Sequence, residues 1–483
     1  MFIGFKTRIA LLLLAIIFLI TVPMFLAHDT IVNHLMRSAL SDIEIPGKDA
    51  RVLVFSPHND DEVLGPGELI KKSLQNKAQV KVVLITNGDG YKTAVEFDYL
   101  DLNPKPEDYV KFGYLRQKES AEAMKKMGLS QENIIFLGYP DGGISYLWNS
   151  FWDPNHPYTS NFTQTNKSPY KNSYRKNAPY AGESLAEDII KIIKEYQPTH
   201  IVFPHPSDNH PDHWGTNSFV KYAMTKINYK PDFEWLYLVH SAYWPTPTSK
   251  NSSLFLVPPR KLINLGTKWF AMDINREDIK EKTGAIELYK SQMRTLGLAM
   301  ASFERKNELF GVYPNIPLVK YKIPELNVQP SPDNLVIKDP LQDAFRIKMD
   351  TSADLVGLYA EIPSDSNKLC LMLETHEPVG RDITYLINVI VFEENHVSRL
   401  RLKILDNKVS AIPLSSQTIF DTGKVSLDIK DNIIQVFLPF DNEIAFSHLY
   451  LDAESTVDDH LIDKTPWRMV NASNSLIQLP GSR

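Results

Sequence analysis

From residue 51 onward, short apolar runs alternate with longer amphipathic stretches. RVLVF (51–55), VKVVLIT (80–86), NIIFLG (133–138), THIVFP (199–204) and WLYLVH (235–240) read as strands. Their near-continuous Val, Ile and Leu mark strands buried on both faces. Between them, ELIKKSLQN (68–76), GYLRQKESAEAMKKMG (113–128) and ESLAEDIIKIIKEY (183–196) repeat apolar residues with a helical period. The alternation predicts a three-layer, Rossmann-like α/β domain with a largely parallel sheet. A helix over residues 277–293 is expected to close it. Residues 91–112 and 144–180 lack either period and predict long loops. The second holds Tyr146, Trp148, Phe151, Trp152, Tyr158, Tyr170, Tyr174 and Tyr180. Disordered segments are poor in aromatics, so an ordered loop lining a substrate cleft is expected. Packing of that loop on its own domain is the alternative.

The pattern changes after PELNVQPSPDNL (324–335), whose prolines and polar residues suit a linker. Beyond it, LVGLYAEI, KLCLMLET, ITYLINVIVFE, SRLRLKIL and IIQVFLPF are short, alternating and separated by turn residues. That is an all-β pattern and predicts an antiparallel, sandwich-like domain. At the other end, IALLLLAIIFLITVPMFLA (9–27) carries no charge and approaches the length that spans a bilayer. Lys6 and Arg8 precede it, so the positive-inside rule keeps the N-terminus cytoplasmic and the body outside. A secreted protein after signal cleavage is the alternative, although Phe25 and Leu26 before Ala27 make a poor cleavage site. The expected organisation is an anchor at 1–28, an α/β domain at 48–323, a linker at 324–335 and a β domain at 336–483.

Composition adds little except by exclusion. A net charge of −6 with no long basic run argues against nucleic acid as a partner. The single cysteine, Cys370, rules out an intramolecular disulfide and a thiolate metal cluster. Any metal would rest on histidine and carboxylate.

Such residues gather in two places. SPHNDDEVLG (56–65) puts His58, Asn59, Asp60, Asp61 and Glu62 where the first sheet strand ends. HPSDNHPDHWG (205–215) puts His205, Asp208, His210, Asp212 and His213 after a later strand, with Pro211 suited to a first helical turn. In parallel sheets, ligands bind outside the carboxyl ends of the strands. Each cluster alone reads equally as a solvated turn or helix cap. Together they point to a metal site, with three protein donors and a position left for water.

PHNDDE (57–62) and HPDH (210–213) resemble the PHPDDE and HPDH motifs of the PIG-L/LmbE-like family of zinc-dependent N-acetylglucosaminyl deacetylases. LITNGDG, RQKESAEAMKKMG, YPDGG and KTGAIELYKSQ are similar to further stretches of that family, over roughly residues 50–300. The resemblance implies His58, Asp61 and His213 as ligands of Zn2+, with Fe2+ or Co2+ as other candidates. It implies Asp60 as general base and His210 as the group that supports the oxyanion or protonates the leaving amine. Arg116, Glu119 and Asp141 become candidates for substrate contacts, and Asp212 for orienting a ligand histidine. Asn59 stands where the family has proline, which leaves every proposed ligand in place. The expected function is removal of acetyl from an N-acetylated amino sugar outside the cytoplasm. An amidase acting on another conjugate and a non-enzymatic glycan-binding protein are the alternatives.

Overall fold

The computed structural model describes residues 30–320, 324, 325, 328–342, 351–364, 366–441 and 446–472. The expected anchor lies outside the described residues. Among the described residues, no helix is long and apolar enough to cross a membrane.

Eight strands build the first sheet: β1 (Ser41–Asp42), β2 (Arg51–Ser56), β3 (Gln79–Thr86), β4 (Ile134–Tyr139), β5 (His200–Pro204), β6 (Phe233–Tyr237), β7 (Lys268–Asp273) and β8 (Asn307–Val312). Their order is β1-β7-β8-β6-β5-β2-β3-β4. From β6 to β4 every neighbouring pair is parallel. β8 runs antiparallel to both β6 and β7, so the sheet is mixed. The reason lies in the connection. Two helices, Arg276–Ile286 and Lys290–Ala301, lie between β7 and β8. A single crossover helix returns a chain parallel; a pair of helices brings it back reversed.

Those two helices also correct the expected single helix over 277–293, which breaks at Glu287–Tyr289. Residues 91–112, expected as a loop, are mostly helical, in Lys92–Tyr99 and the start of Pro106–Lys126. Ala94, Val95, Tyr109 and Phe112 form a small apolar cluster there. Four apolar residues divided between one short helix and the first turns of a long one were too sparse a pattern to show period in the sequence.

Two further sheets of six and seven strands make the C-terminal β domain. Leu355–Ile362, Lys368–Thr375 and Ile433–Pro439 belong to one; Thr384–Glu393, Val397–Leu405 and Phe446–Val457 belong to the other. Side chains such as Leu371, Val436, Ile387 and Leu449 share a single apolar core between them. Residues 316–320 already pair with these sheets, ahead of the expected linker.

The aromatic stretch 144–181 meets this domain. Trp148 is fully buried, edge-on to Phe219, Tyr450 and Trp467. The Arg399 guanidinium of the β domain lies 4.0 Å from the centre of the Trp152 ring. Tyr170 and Tyr180 are buried as well. Most of these rings therefore pack the interior and the domain junction rather than a cleft, which corrects the expectation. The alternation of aromatic and polar residues carried no sign of the partner domain that covers them.

Candidate metal centre

The parallel strands deliver five loops to one edge of the sheet: 57–60 after β2, 87–90 after β3, 140–143 after β4, 205–210 after β5 and 238–240 after β6. The first is strained. Asp60 has φ 130°, a backbone conformation costly for any side chain bearing a Cβ, about 1–3 kcal/mol. It is held from several sides. Its N–H donates to Glu62 Oε2 at 2.8 Å, and its carbonyl accepts from Val63 and Leu64. Arg116 donates to Asp60 Oδ2 at 3.0 Å, to Gly88 O at 3.0 Å and to Asn59 O. Tyr289 in turn fixes Glu62, its hydroxyl donating to Oε1 at 2.7 Å.

This loop and the helix Pro211–Lys226 bring three donor atoms together. Asp61 Oδ2 lies 3.1 Å from His58 Nδ1 and 3.0 Å from His213 Nε2, and the two nitrogens are 3.2 Å apart. The outer nitrogen of each imidazole faces carboxylate. His58 Nε2 is 3.1 Å from Asp212 Oδ2 and 3.2 Å from Asp141 Oδ1. His213 Nδ1 is 3.1 Å from Asp208 Oδ2. With the outer nitrogens donating to these acids, the inner nitrogens of neutral rings both present lone pairs to Asp61. Three electron-rich atoms at such separations repel unless protons on the rings or a bound cation sit among them.

The charge balance argues the same way. Asp60, Asp61, Glu62, Asp89, Asp141, Asp208 and Asp212 are all buried around this point. Burial resists charge on His213, yet Asp208 and Asp61 outweigh it and lift the ring to about 9. His58 is also raised, because Asp141, Asp212 and Asp61 outweigh the burial that opposes it. Two imidazolium charges thus balance the acids where one divalent ion would do so. The N, N, O donor set with carboxylates behind both histidines suits zinc and related ions.

Asp60 stands beside this triangle with 12% of its side chain exposed. Burial raises its carboxyl to about 8, against the pull of Arg116. His210 caps the helix, its Nδ1 accepting from Asp212 N at 3.2 Å. Its ring is edge-on to His58, with centroids 4.6 Å apart. Burial, with His58 adding to it, lowers it to about 4, so the ring is neutral with its proton on Nε2.

The other expected residues divide. Asp141 reaches the site, bonded also to Gly90 N at 2.6 Å. Asp212 orients His58 and ties down Gly142 N and Ile144 N at 2.7 and 3.0 Å. Arg116 is buried beneath the loop and holds Asp60, a positioning role in place of the expected substrate contact. Glu119 is not brought to the cleft. Both its oxygens accept from Ser291, at 2.9 and 2.6 Å, at the start of the helix Lys290–Ala301. The spacing of Arg116 and Glu119 on one helix could not show that they point to different partners. Asn59, in place of proline, donates to Ser120 Oγ at 2.9 Å.

Sequence reasoning gave no role to Asp208, His240 or Tyr289. Asp208 accepts from Val239 N and His240 N, both at 3.0 Å, while it holds His213. The His240 ring is edge-on to His213 at 4.6 Å and reaches the surface. Its place at the carboxyl end of β6 was the available signal.

A family profile described as PIG-L, GlcNAc-PI de-N-acetylase, matches residues 53–224. No curated protein matches the chain. Among solved structures, an N,N'-diacetylchitobiose deacetylase from Pyrococcus horikoshii is 20% identical, with a TM-score of 0.35, over 59% of this chain and 92% of that one. The conserved protein TT1542 from Thermus thermophilus is 17% identical, with a TM-score of 0.34, over 56% and 97%. A zinc-inhibited form of the teicoplanin deacetylase Orf2 is 19% identical, with a TM-score of 0.35, over 54% and 97%.

Proposed function

We propose, from the match of residues 53–224 to the PIG-L family profile and the geometry of the site, that the protein is a metal-dependent deacetylase acting on an N-acetylated amino sugar. The observation that carries this is the triangle of His58 Nδ1, Asp61 Oδ2 and His213 Nε2, with 3.0–3.2 Å edges and Asp60 beside it. When bound, a divalent ion such as zinc would act there as a Lewis acid toward water and the acetyl carbonyl. The chain's own residues do the rest. Asp60, fixed by Arg116, takes a proton from the attacking water. His210 offers Nε2–H to the oxyanion that develops on the carbonyl. Asp208 and Asp212 keep both ligand rings turned inward. The products are acetate and a free amine.

The catalytic domain is assigned to the outside of the membrane, with residues 9–27 as anchor and Lys6 and Arg8 on the cytoplasmic side. Reporter fusions at the C-terminus check this: activity of a reporter that works only in the cytoplasm would reverse the topology. The function itself is tested by acetate release from a panel of N-acetylated glycosides by the full chain, with metal analysis of the same sample. Acetate in proportion to bound metal supports the reading. A fully metal-loaded chain that releases none from any of them contradicts it.

A further inference from the structure

Arg399 brings the β domain to the back of the metal centre. It stands on the strand Val397–Leu405 and is buried. Its guanidinium donates to Trp148 O and lies 5.0 Å from the centre of the Trp148 ring and 4.0 Å from that of Trp152. Among the described residues no carboxylate pairs with it, and its Nε and Nη1 have no hydrogen-bond partner. Burial lowers it to about 10, so it carries its charge at neutral pH. An unpaired buried cation costs stability. Its contribution lies in the group it holds.

That group, Trp148 O, belongs to the helix Ile144–Asn149, only six residues long. A helix so short is not stable alone, so the contacts at its two ends set its place. At the far end Arg399 takes the Trp148 carbonyl, one of those a helix leaves without an internal partner. At the near end Ile144 N donates to Asp212 Oδ1 at 3.0 Å, and Gly142 N to Asp212 Oδ2 at 2.7 Å. Asp212 Oδ2 is in turn 3.1 Å from His58 Nε2. Asp141, one residue before Gly142, meets the same nitrogen at 3.2 Å. Both acids behind His58 are thus tied to a segment whose other end is held by the β domain.

Packing makes the connection stiff. Gly215, two residues after His213, lets the two helices close up: a Cβ there would lie 3.0 Å from Ile144 Cγ2. Trp148, Phe219 and Tyr222 share one apolar core with Phe392, Tyr450 and Trp467 of the β domain. Close-packed side chains pass a displacement on instead of absorbing it.

We propose that Arg399 is a positioning residue for the metal centre: it clamps the far end of the helix Ile144–Asn149 and so sets Asp141 and Asp212 behind His58. The β domain, which lies outside the matched residues 53–224, is then a working part of the catalytic unit. The inference rests on the metal reading of His58, Asp61 and His213, while the clamp itself can be read without metal.

The test compares the full chain with Arg399→Met, Arg399→Lys and Arg401→Met. Arg401 is the control, since it stands on the same strand and its Nε donates to Asn388 Oδ1 inside the β domain. Zinc affinity by competition titration should fall about tenfold in Arg399→Met, the lower end of the effect of groups behind a metal ligand. Arg399→Lys keeps a charge and a donor for Trp148 O and should recover most of the affinity. Arg401→Met should match the wild type. Without metal, amide hydrogen exchange in Arg399→Met should quicken at residues 142–149 and stay unchanged in β2 and β5. If Arg399→Met does not fold, Trp152→Leu, which removes the ring beneath the guanidinium, takes its place with the same pattern expected. Unchanged affinity, or exchange that quickens equally in the central strands, overturns the proposal, the latter marking a merely structural role. If the wild type binds no zinc, the metal reading fails and exchange at 142–149 alone decides the clamp.

Discussion

Buried charge is arranged differently in the two domains. In the β domain, Asp452 and Glu454 are buried, and Lys464 reaches both from the neighbouring strand. Asn388 donates to the other oxygen of Asp452 at 2.9 Å, so the cluster closes on itself. In the α/β domain, seven buried acids lie around the loops that carry His58 and His213; Asp61, Asp141, Asp208 and Asp212 contact those two rings, and Arg116 is paired with Asp60. The same domain balances charge elsewhere. Lys282 lies 2.6 Å from Glu308, and Lys71 and Lys72 both meet Asp278. A surplus of acid at one point is thus local. It marks the place where a positive charge from outside the sequence belongs.

The largest effect comes from unbalancing the balanced cluster. Lys464→Met leaves Asp452 and Glu454 without their cation and should cost about 3–5 kcal/mol of stability by denaturant unfolding. Metal content at the other cluster should not change in the folded fraction. A loss under about 1 kcal/mol would show that the β-domain acids do not depend on Lys464.

Asp60→Asn removes an acid from the surplus without touching a ligand. Asparagine keeps the size, tolerates positive φ better than most residues, and cannot take a proton from water. Turnover should fall by roughly 10²–10⁴, with metal content near that of the wild type. Loss of metal with unchanged activity per bound ion would make Asp60 a ligand and exchange its role with that of Asp61.

Asp208→Asn weakens the partner behind His213 while leaving the three donor atoms. Metal affinity should drop about 10–100-fold in a competition titration. An unchanged affinity would mean that the helix, not Asp208, orients the ring. The smallest effect is expected of Asn59→Pro. It loses the bond to Ser120 Oγ and a contribution of about 0.5–1.5 kcal/mol, with a rate change well below that of Asp60→Asn.

The contrast also explains what the sequence could show. Strand ends were legible because Val and Ile runs stop abruptly, and His58, Asp61, His210 and His213 stood just past two of them. The mixed sheet was not legible, since nothing in KWFAMD or NELFGV says that two helices will reverse the chain between them. Glu119 was misread because spacing on a helix gives a face but not the partner, here Ser291. Trp148 was misread for a similar reason: its partners Tyr450 and Trp467 lie some three hundred residues away, and no local period records them. Asp208 went unassigned because a residue that holds a ligand looks, in sequence, like any other loop acid.

The central claim is that the acid surplus holds one divalent ion between His58, Asp61 and His213. Metal analysis of the purified full chain, equilibrated with zinc and then desalted, tests it directly when run beside His58→Ala, Asp61→Ala and His213→Ala. The account predicts about one ion per wild-type chain and a clear loss in each variant, with the fold retained by circular dichroism. Full occupancy in all three variants would contradict it.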